Sequence, residues 1–447
     1  MAKDPCYTNK LFLFLILGNF IFLNACVSVQ IEETKIGNGW ANNSVNTVIF
    51  RQNAITTHQN YQFMAYYDEN SKMVLAKRRL GDDNWEKHQT QYSGKTRDAH
   101  NAISIAIDGD GYLHVSWDHH DNELRYAVSK EALGLELSEK KEMTGEEENK
   151  VSYPQFFNLN QGNLLFLYRS GQSGRGSLIA KYYSTETNIW KTLHKNLIDG
   201  EGERNAYWQA YVDQDGTIHL SWVWRETWDV STNHDIAYAR STDGGKTWEK
   251  STGDKYELPI TAKTAEYAWK VPQKSSLINQ TSMTTDTEGN PYIASYWNEE
   301  GESATQFQVV YLKNRKWQKI STDFRTTSFN LGGGGTKKIP ISRPEILVSS
   351  NNNTSPPTVY LLFRDEERDN KVSLANTELG GNKKWEVTDL TESSVGQWEP
   401  NLDKELFKKE EKLHIFVQKV TQIDGEGVAE EASTPVRILE LNKLPVK

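Results

Sequence analysis

Apolar and polar positions alternate along this chain in a repeated pattern of two strands joined by a turn. An apolar strand enters a turn of Asp, Asn or Gly, and a second alternating strand leaves the turn and ends in an aromatic residue. Copies of the pattern lie at residues 107–117, 159–168, 212–222 and 285–296, with a looser copy at 348–363. Strand repeats of this kind are typical of solenoids and propellers.

Seven strand–turn–strand units can be laid out along the chain, each followed by one or two further strands. They cover residues 46–91, 98–145, 151–197, 205–257, 275–325, 340–392 and 397–442. Seven units of four short antiparallel strands predict an all-β fold, a seven-bladed β-propeller of four-stranded blades. We expect this single domain to occupy residues 46–447, after a linker at residues 26–45.

The composition agrees with such a fold and limits the partners. The 447 residues include 14 Trp, 20 Tyr and 30 Gly, as expected of aromatic-rich strands joined by frequent turns. The formal charge is -9 and no long Lys/Arg cluster occurs, which argues against a nucleic-acid partner. An anionic ligand would have to meet locally placed Arg or Lys.

Residues 1–25 resemble a lipoprotein signal peptide. The apolar run at residues 11–23 follows two lysines and is too short to span a membrane comfortably. It leads into Leu-Asn-Ala-Cys26, which resembles the bacterial lipobox, in which the cysteine is lipidated; an ordinary secretory signal is the alternative. Since Cys6 would be removed, no intramolecular disulfide is expected. We predict an exported monomeric lipoprotein of the outer membrane, cell surface or periplasm that touches the membrane only through its lipid.

Polar residues at strand ends are the candidates for function. In an antiparallel blade, the start of the first strand and the end of the second lie side by side on one face of the disc. These positions should therefore converge on the central funnel. In chain order they include His100, Asn101, His119, His120, Tyr153, Arg169, Asn205, Tyr207, Arg225, His234, Asn279, Gln280, Asn298, Arg343, Arg364, Glu399, Gln418 and Lys419.

Other motifs are predicted to be structural. Residues 241–248 fit the Asp-box pattern S-x-D-x-G-x-T-W, in which the aspartate bonds backbone amides of a hairpin turn. His114 and His219 occupy the same position in two copies of the repeat, which favours a scaffold role. His100 and His120 have no counterparts in the other blades, which favours function for them.

A funnel lined by His, Tyr and Arg suits the removal of a proton next to a carboxylate. The H-E-x-x-H and C-x-x-C metal motifs are absent, and the strand ends are poor in the carboxylate pairs of glycoside hydrolases. An Arg could neutralise a uronate carboxylate while His or Tyr removes the C5 proton and protonates the oxygen leaving C4. The predicted reaction is β-elimination, which requires no cofactor; a structural metal ion stays open.

Several linked motifs resemble one known family over roughly residues 37–250. The resemblance is to the BNR-repeat seven-bladed propellers that include bacterial ulvan lyases, and it is carried by Asp98-Ala99-His100-Asn101, Trp117-Asp118-His119-His120, Tyr153-Pro154-Gln155-Phe156, Tyr168-Arg169-Ser170-Gly171 and residues 222–227. It implies a carbon–oxygen lyase acting on 4-linked uronic acids of a sulfated, ulvan-type polysaccharide or oligosaccharide.

The resemblance also implies roles for individual residues. His100 and His120 would lie at the scissile bond, Tyr153 would be the acid/base and Arg169 the carboxylate neutraliser, although Tyr168 could replace Tyr153. The residues expected to bind substrate are Tyr207, Arg225, His234, His119, Asn101 and Arg364.

Three alternatives remain open at this point. An oligosaccharide dehydratase would remove water from a terminal uronate by the same chemistry, and inserts at residues 138–150 or 332–335 could close the funnel as this requires. A sialidase-like hydrolase would need three Arg on the carboxylate, and usually several Asp-boxes. A noncatalytic glycan-binding lipoprotein would keep the aromatics and Arg without requiring His100 and His120.

Overall fold

The structure is a computed structural model that describes residues 30–48, 50, 53–172, 175–349, 356–380 and 384–445. The predicted signal peptide and Cys26 lie outside the described residues. Within the described ranges, no helix has the length and apolar character needed to cross a membrane.

Almost all regular structure is β-strand. Among the described residues, the strands are interrupted by one α-helix, α1 (Lys404–Glu410), and by short 3-10 turns at Asn160–Gly162, Val230–Thr232 and Glu366–Arg368. In chain order the strands are β1 (Glu32–Gly39), β2 (Ile55–His58), β3 (Tyr61–Tyr67), β4 (Lys72–Arg79), β5 (Glu86–Ser93), β6 (Ile103–Ile107), β7 (Leu113–Trp117), β8 (His120–Asn122), β9 (Tyr126–Val128), β10 (Val151–Asn158), β11 (Leu164–Gln172), β12 (Arg175–Ser184), β13 (Ile189–Asp199), β14 (Asn205–Val212), β15 (Ile218–Arg225), β16 (Asn233–Ser241), β17 (Glu266–Trp269), β18 (Ser282–Thr285), β19 (Pro291–Trp297), β20 (Gln306–Lys313), β21 (Lys316–Ser321), β22 (Glu345–Ser349), β23 (Thr358–Asp365), β24 (Lys371–Glu378), β25 (Glu386–Asp389), β26 (Leu413–Gln418) and β27 (Thr434–Leu441).

These strands form seven antiparallel sheets, the blades of a β-propeller, as predicted. Blades one, four, five and six are the four-stranded sheets β2–β5, β14–β17, β18–β21 and β22–β25. Blade two is β6-β7-β9, and blade three is β10–β13 with β8 added at its inner edge. Consecutive inner strands contact each other from β2 to β22, which places the start of each blade around one central axis.

The chain closes the ring by pairing its two ends in blade seven. Strand β1 pairs with β27, which pairs with β26, and Leu402 bridges Ile415 on the inner side of the blade. Thr34 and Ile36 are buried in β1 while Lys35 between them is exposed, so the strand has one face toward the core. The stretch expected to be a linker thus supplies the outer strand of the last blade, because its alternation continues that sheet.

Apolar side chains fill the spaces between blades. Seven buried clusters each combine residues from two adjacent blades, including one between blades seven and one. An eighth cluster, which contains Phe50, Tyr153 and Tyr207, lies where the inner strands converge. Packing between adjacent blades therefore holds the ring together, and the strand ends at the central axis are available to form a binding site.

The scaffold role predicted for two histidines is confirmed. His114 is fully buried, with Nε2 3.1 Å from Asp108 and Nδ1 2.7 Å from the Tyr126 hydroxyl. His219 makes the same pair of contacts, at 3.0 Å to Asp213 and 2.8 Å to the Tyr238 hydroxyl.

The Asp-box is structural as well. Asp243 accepts hydrogen bonds from the backbone of Lys246 at 3.0 Å and of Thr247 at 2.9 Å, and Trp248 is buried below the turn.

Candidate active site

A cavity of about 290 Å³ opens where the inner strands converge. Side chains from blades two, three, four and six and from the loops between blades surround it. Its walls are formed by Phe50, His100, His120, Tyr153, Tyr207, Arg225, Trp228, Val230, Ile278, Asn279, Gly334, Gly335, Thr336, Lys337, Ile339, Arg343 and Glu426. A cavity of this kind, with convergent polar groups on an apolar base, is the usual form of a small-molecule site.

Asp98 holds two histidines side by side. Nδ1 of His100 donates to one carboxylate oxygen at 2.7 Å, and Nδ1 of His120 donates to the other at 2.6 Å. The two imidazole rings stack with their centroids 4.1 Å apart. Burial would raise the pKa of Asp98, but hydrogen bonds and charge from both histidines hold that pKa well below its usual range. Asp98 therefore stays ionised and fixes Nε2 as the nitrogen that each ring can offer to a ligand.

A strand shared between blades positions His120. His120 and Asn122 lie in β8, which follows blade two along the chain but pairs with β10 of blade three. Asp121, between them, has a φ of 60° and donates its backbone N–H to the Ser152 hydroxyl at 2.8 Å. This short cross-blade strand brings the second histidine next to the strand that carries Tyr153.

Tyr153 reaches the cavity through a bulge in β10. The register of β10 against β11 shifts between Ser152 and Gln155, and Tyr153 has a φ of 55°. Bulky residues seldom adopt this left-handed conformation, and where they do, strain is often held at a functional site. The Tyr153 ring lies edge-on to Phe50 at 5.0 Å and 5.8 Å from the His100 ring.

Two arginines lie close enough to Tyr153 for their charges to act on it. The Arg169 guanidinium carbon lies 4.8 Å from the centre of the Tyr153 ring. Burial and the neighbouring Tyr207 raise the pKa of Tyr153, and the positive charges of Arg169 and Arg225 oppose that rise only in part. The Tyr153 hydroxyl is consequently protonated at neutral pH and is available as a proton donor.

Arg225 is the cation at the cavity wall beside this tyrosine. It ends β15, opposite Asn205 at the start of β14, as expected for converging strand ends. Nη1 donates to the Tyr207 hydroxyl at 3.4 Å, Nη2 donates to the backbone oxygen of Trp228, and Nε is buried without a partner. Because Arg225 lines the cavity and bonds to a hydroxyl and a backbone oxygen rather than to a carboxylate, it is a natural contact for an anionic ligand group.

A second arginine lines the cavity but is already neutralised. Arg343 pairs through both Nε and Nη2 with the Glu399 carboxylate at 2.7 Å, and its Nη1 donates to Gln280 at 3.1 Å. The Glu399 carboxylate therefore compensates the charge of Arg343, which makes Arg225 the better partner for a ligand carboxylate.

Several residues predicted to act on a ligand lie away from the cavity walls. Arg169 is buried behind Tyr153. Arg364 is buried and donates to the backbone oxygens of Trp398, Ile339 and Pro340, so it ties loops together. Asn101 donates to the backbone oxygen of Lys95 at 3.0 Å.

Two predicted histidines also have other partners. His119 is fully buried, and its Nε2 accepts a hydrogen bond from the Arg125 backbone N–H at 3.0 Å. Burial lowers the pKa of His119 to about 3. His234 lies between Glu226 at 2.8 Å and Asp235 at 3.1 Å, outside the cavity walls.

The structure also separates the two candidate tyrosines. Tyr153 lines the cavity, whereas the Tyr168 hydroxyl donates to the backbone oxygen of Glu147 at 2.8 Å, away from the axis.

Sequence reasoning missed Asp98, although it lies in the motif that drew attention to His100, and it missed Trp228, three residues after Arg225. An acidic residue two positions from a candidate histidine was the available signal for Asp98.

Asp98, His100 and His120 are also the three-residue group that could hold a metal ion. Within the described part of the chain, one ligand atom from each lies within 4.8 Å of the others.

Comparison with known proteins places this seven-bladed propeller, with its polar central cavity, in a family. The family model of BNR repeat-containing proteins matches residues 61–325. Since this is more than half of the chain, the protein belongs to that family.

Curated relatives match at low identity. The long isoform of ulvan lyase from Alteromonas sp. (strain LOR) is 22% identical over 345 residues, which cover 61% of this chain and 34% of the relative. The long isoform of ulvan lyase from Pseudoalteromonas sp. (strain PLSV) is 22% identical over 349 residues, which cover 62% of this chain and 35% of the relative. The chain thus spans about a third of the length of these relatives.

Solved structures support the fold. Polysaccharide lyase Uly1 superimposes with a TM-score of 0.68 at 15% identity, covering 93% of this chain and all 100% of that structure. A PL25 ulvan lyase bound to -[GlcA(1-4)Rha3S]- superimposes with a TM-score of 0.66 at 15% identity. The superposition covers 90% of this chain and 97% of that structure. At this identity, the similarity establishes the propeller architecture.

Proposed function

We propose that this protein is a carbon–oxygen lyase that acts by β-elimination on 4-linked uronic acid residues of an anionic glycan. The observation that carries the proposal is the histidine pair held by Asp98 on one side of the cavity, with Tyr153 and Arg225 on the other. This arrangement supplies a base, an acid and a cation around one small volume, which are the groups that elimination next to a carboxylate requires.

Arg225 has the part of carboxylate neutraliser in this proposal. Its position on the wall, and hydrogen bonds to a hydroxyl and a backbone oxygen rather than to a carboxylate, suit an ion pair with the uronate carboxylate. Charge that develops on the carboxylate as the C5–H bond breaks is stabilised by the guanidinium. Arg169, to which the family resemblance assigned this role, acts instead through its charge on Tyr153.

The histidine pair and Tyr153 divide the proton transfers. Nε2 of His120 or His100 accepts the C5 proton, and Asp98 stabilises the resulting imidazolium through Nδ1. The electron pair of the C5–H bond forms the C4–C5 double bond as the C4–O bond breaks. The protonated Tyr153 hydroxyl donates its proton to the departing oxygen, and return of the imidazolium proton to the phenolate restores the site.

The names of the similar proteins suggest an ulvan-type substrate. Both curated relatives are ulvan lyases, and one similar structure holds a glucuronate–rhamnose sulfate fragment. We extend this to the present chain as part of the proposal, together with export as a lipoprotein through Cys26. A sialidase-like site fits less well, because Arg343, the second arginine of the wall, is already bound to Glu399.

The test is incubation of the protein with ulvan and its oligosaccharides while following the ultraviolet absorbance of the unsaturated uronate. We expect absorbance to rise with the wild type and to be lost in His120→Ala. The matched control is His88→Ala, which changes a partly exposed histidine in the outer strand β5. Absence of any unsaturated product from ulvan and other uronate glycans would refute the lyase proposal.

A further inference from the structure

Three loops from different blades meet along one side of the cavity. Trp228 lies between β15 and β16 of blade four, residues 332–338 connect blades five and six, and residues 424–426 lie between β26 and β27 of blade seven. Trp228, Gly334, Gly335, Lys337 and Glu426 all line the cavity. We call this set, Trp228 with residues 332–338 and 424–426, the end wall.

Specific contacts hold the end wall together. Gly333 accepts a hydrogen bond from the Val230 backbone N–H at 2.9 Å and donates its own N–H to Asp229 at 2.9 Å. On the other side, Lys337 pairs with Asp424 at 3.0 Å and the Thr336 backbone N–H donates to Glu426 at 3.2 Å. The loop between blades five and six is thus fastened at both ends to loops of other blades.

Trp228 presents an exposed indole at the cavity edge. Its side chain is 64% exposed, although large apolar side chains are normally covered. It packs against Gly334, where an added Cβ would lie 3.0 Å from the indole Cε3. An aromatic face fixed beside polar groups is the usual stacking surface for a sugar ring, which has an apolar face of C–H groups.

The cavity borders an open groove at His120. The groove has a volume of about 840 Å³. Lys95 and Arg97 are exposed in this groove, whereas Asp98 is bound to the histidines and Asp118 to Arg125 at 2.7 Å. The lining carries three cations and three carboxylates and is neutral overall. Its two exposed cations, Lys95 and Arg97, are the contacts that it offers to the sulfate groups of a chain.

The groove and the end wall meet at the histidine pair: His120 lines the groove, and Oε2 of Glu426 in the end wall lies 3.7 Å from Nδ1 of His100. The groove belongs to blades one to three, while the end wall belongs to blades four to seven. The insert at residues 138–150 takes no part, because Ser138 bonds to Val128 in the outer strand of blade two and Glu148 pairs with Lys181 of blade three. A glycan can therefore leave the cavity past His120 into the groove, whereas the end wall closes the part of the cavity lined by Trp228, Gly334 and Lys337.

From this asymmetry we propose that the protein acts on the ends of glycan chains. The terminal residues occupy the cavity against the end wall and stack on Trp228, and the remaining chain passes His120 into the groove with Lys95 and Arg97. This inference rests on the proposed function, of which it specifies the mode of action.

The experiment compares the viscosity of an ulvan solution with the appearance of unsaturated uronate. Action at chain ends releases small products of one size while viscosity falls slowly, whereas internal cleavage lowers viscosity at once and gives mixed sizes. The first outcome supports the inference, and the mass of the product identifies the leaving group as water or a short saccharide. The second outcome overturns the inference but leaves the lyase proposal intact.

Variants of the end wall give a second test. The double variant Lys337→Ala, Asp424→Ala should increase internal cleavage, and Trp228→Ala should raise the KM for short oligosaccharides by about three- to tenfold. The controls are Lys130→Ala with Glu136→Ala, which removes an exposed ion pair, and Ile189→Ala, which removes an exposed apolar side chain. If the controls changed internal cleavage and the KM for short oligosaccharides as much as the end-wall variants do, the role given to the end wall would be contradicted.

A binding measurement keeps the inference testable without turnover. Tyr153→Phe is titrated by calorimetry with ulvan chains separated by length. Recognition of chain ends predicts one protein bound per chain whatever its length. A number of bound proteins that grows with chain length, or no binding at all, would overturn the inference.

Discussion

The imidazole rings of His100 and His120 stack with centroids 4.1 Å apart, although the two residues are attached to different blades. His100 precedes the first strand of blade two, and His120 lies in β8, which pairs with blade three. Their shared partner Asp98 accepts from both Nδ1 atoms. The junction between two blades is therefore the place where the proposed base is assembled.

Asp98→Asn should reduce kcat by about 100-fold or more with a smaller change in KM. The amide offers one oxygen acceptor, and its NH2 group faces the second Nδ1–H, so one imidazole must rotate or change tautomer. Steady-state kinetics on oligosaccharides measures the effect, with His88→Gln as a control in the outer strand of blade one. Activity close to wild type in Asp98→Asn would exclude a role for Asp98 in holding the base.

Tyr153→Phe should lower kcat by about 100- to 10,000-fold, because it removes the proposed proton donor but keeps the ring in place. Phe retains the edge contact with Phe50, so the fold should survive. Tyr168→Phe is the matched control, because its hydroxyl bonds only to the Glu147 backbone oxygen in the described contacts. If Tyr168→Phe lost more activity than Tyr153→Phe, Tyr168 would be the proton donor and Tyr153 would have a structural role.

The fold was predictable because it repeats. The alternation of apolar and polar positions, the Asp turns and the shared position of His114 and His219 each occur in several copies, so chance matches could be recognised. The contribution of β1 to blade seven was missed because a single strand at the end of the chain has no neighbouring repeat. Only the pairing with β27 distinguishes it from a linker.

The site was predictable in part. Strand-end geometry identified His100, His120, Tyr153 and Arg225, all of which line the cavity. It could not show that Tyr153 enters the cavity at a bulge between Ser152 and Gln155, or that Arg169 is buried against the Tyr153 ring. A bulge depends on pairing between strands, and nothing in the local sequence fixes it.

Ile36→Ala should lower the free energy of unfolding by about 2 to 5 kcal/mol, the usual loss for a large apolar side chain in a packed core. Ile36 is 4% exposed and packs in the cluster between blades seven and one. Denaturant titration measures the change, and Lys35→Ala, on the exposed face of the same strand, should have little effect. Equal stability of the two variants would contradict closure of the ring by β1.

His119→Gln should flatten the dependence of stability on pH in the acid range. Burial lowers the pKa of His119 to about 3, below the usual histidine value of 6.5, so the unfolded chain binds a proton that the folded chain rejects. This contribution is fully present above about pH 6.5 and is lost as the pH falls toward 3, with a slope of at most about 1.4 kcal/mol per pH unit. Denaturant titrations at several pH values should show a smaller slope in His119→Gln than in the wild type. An unchanged slope in His119→Gln would show that His119 is not held neutral by burial.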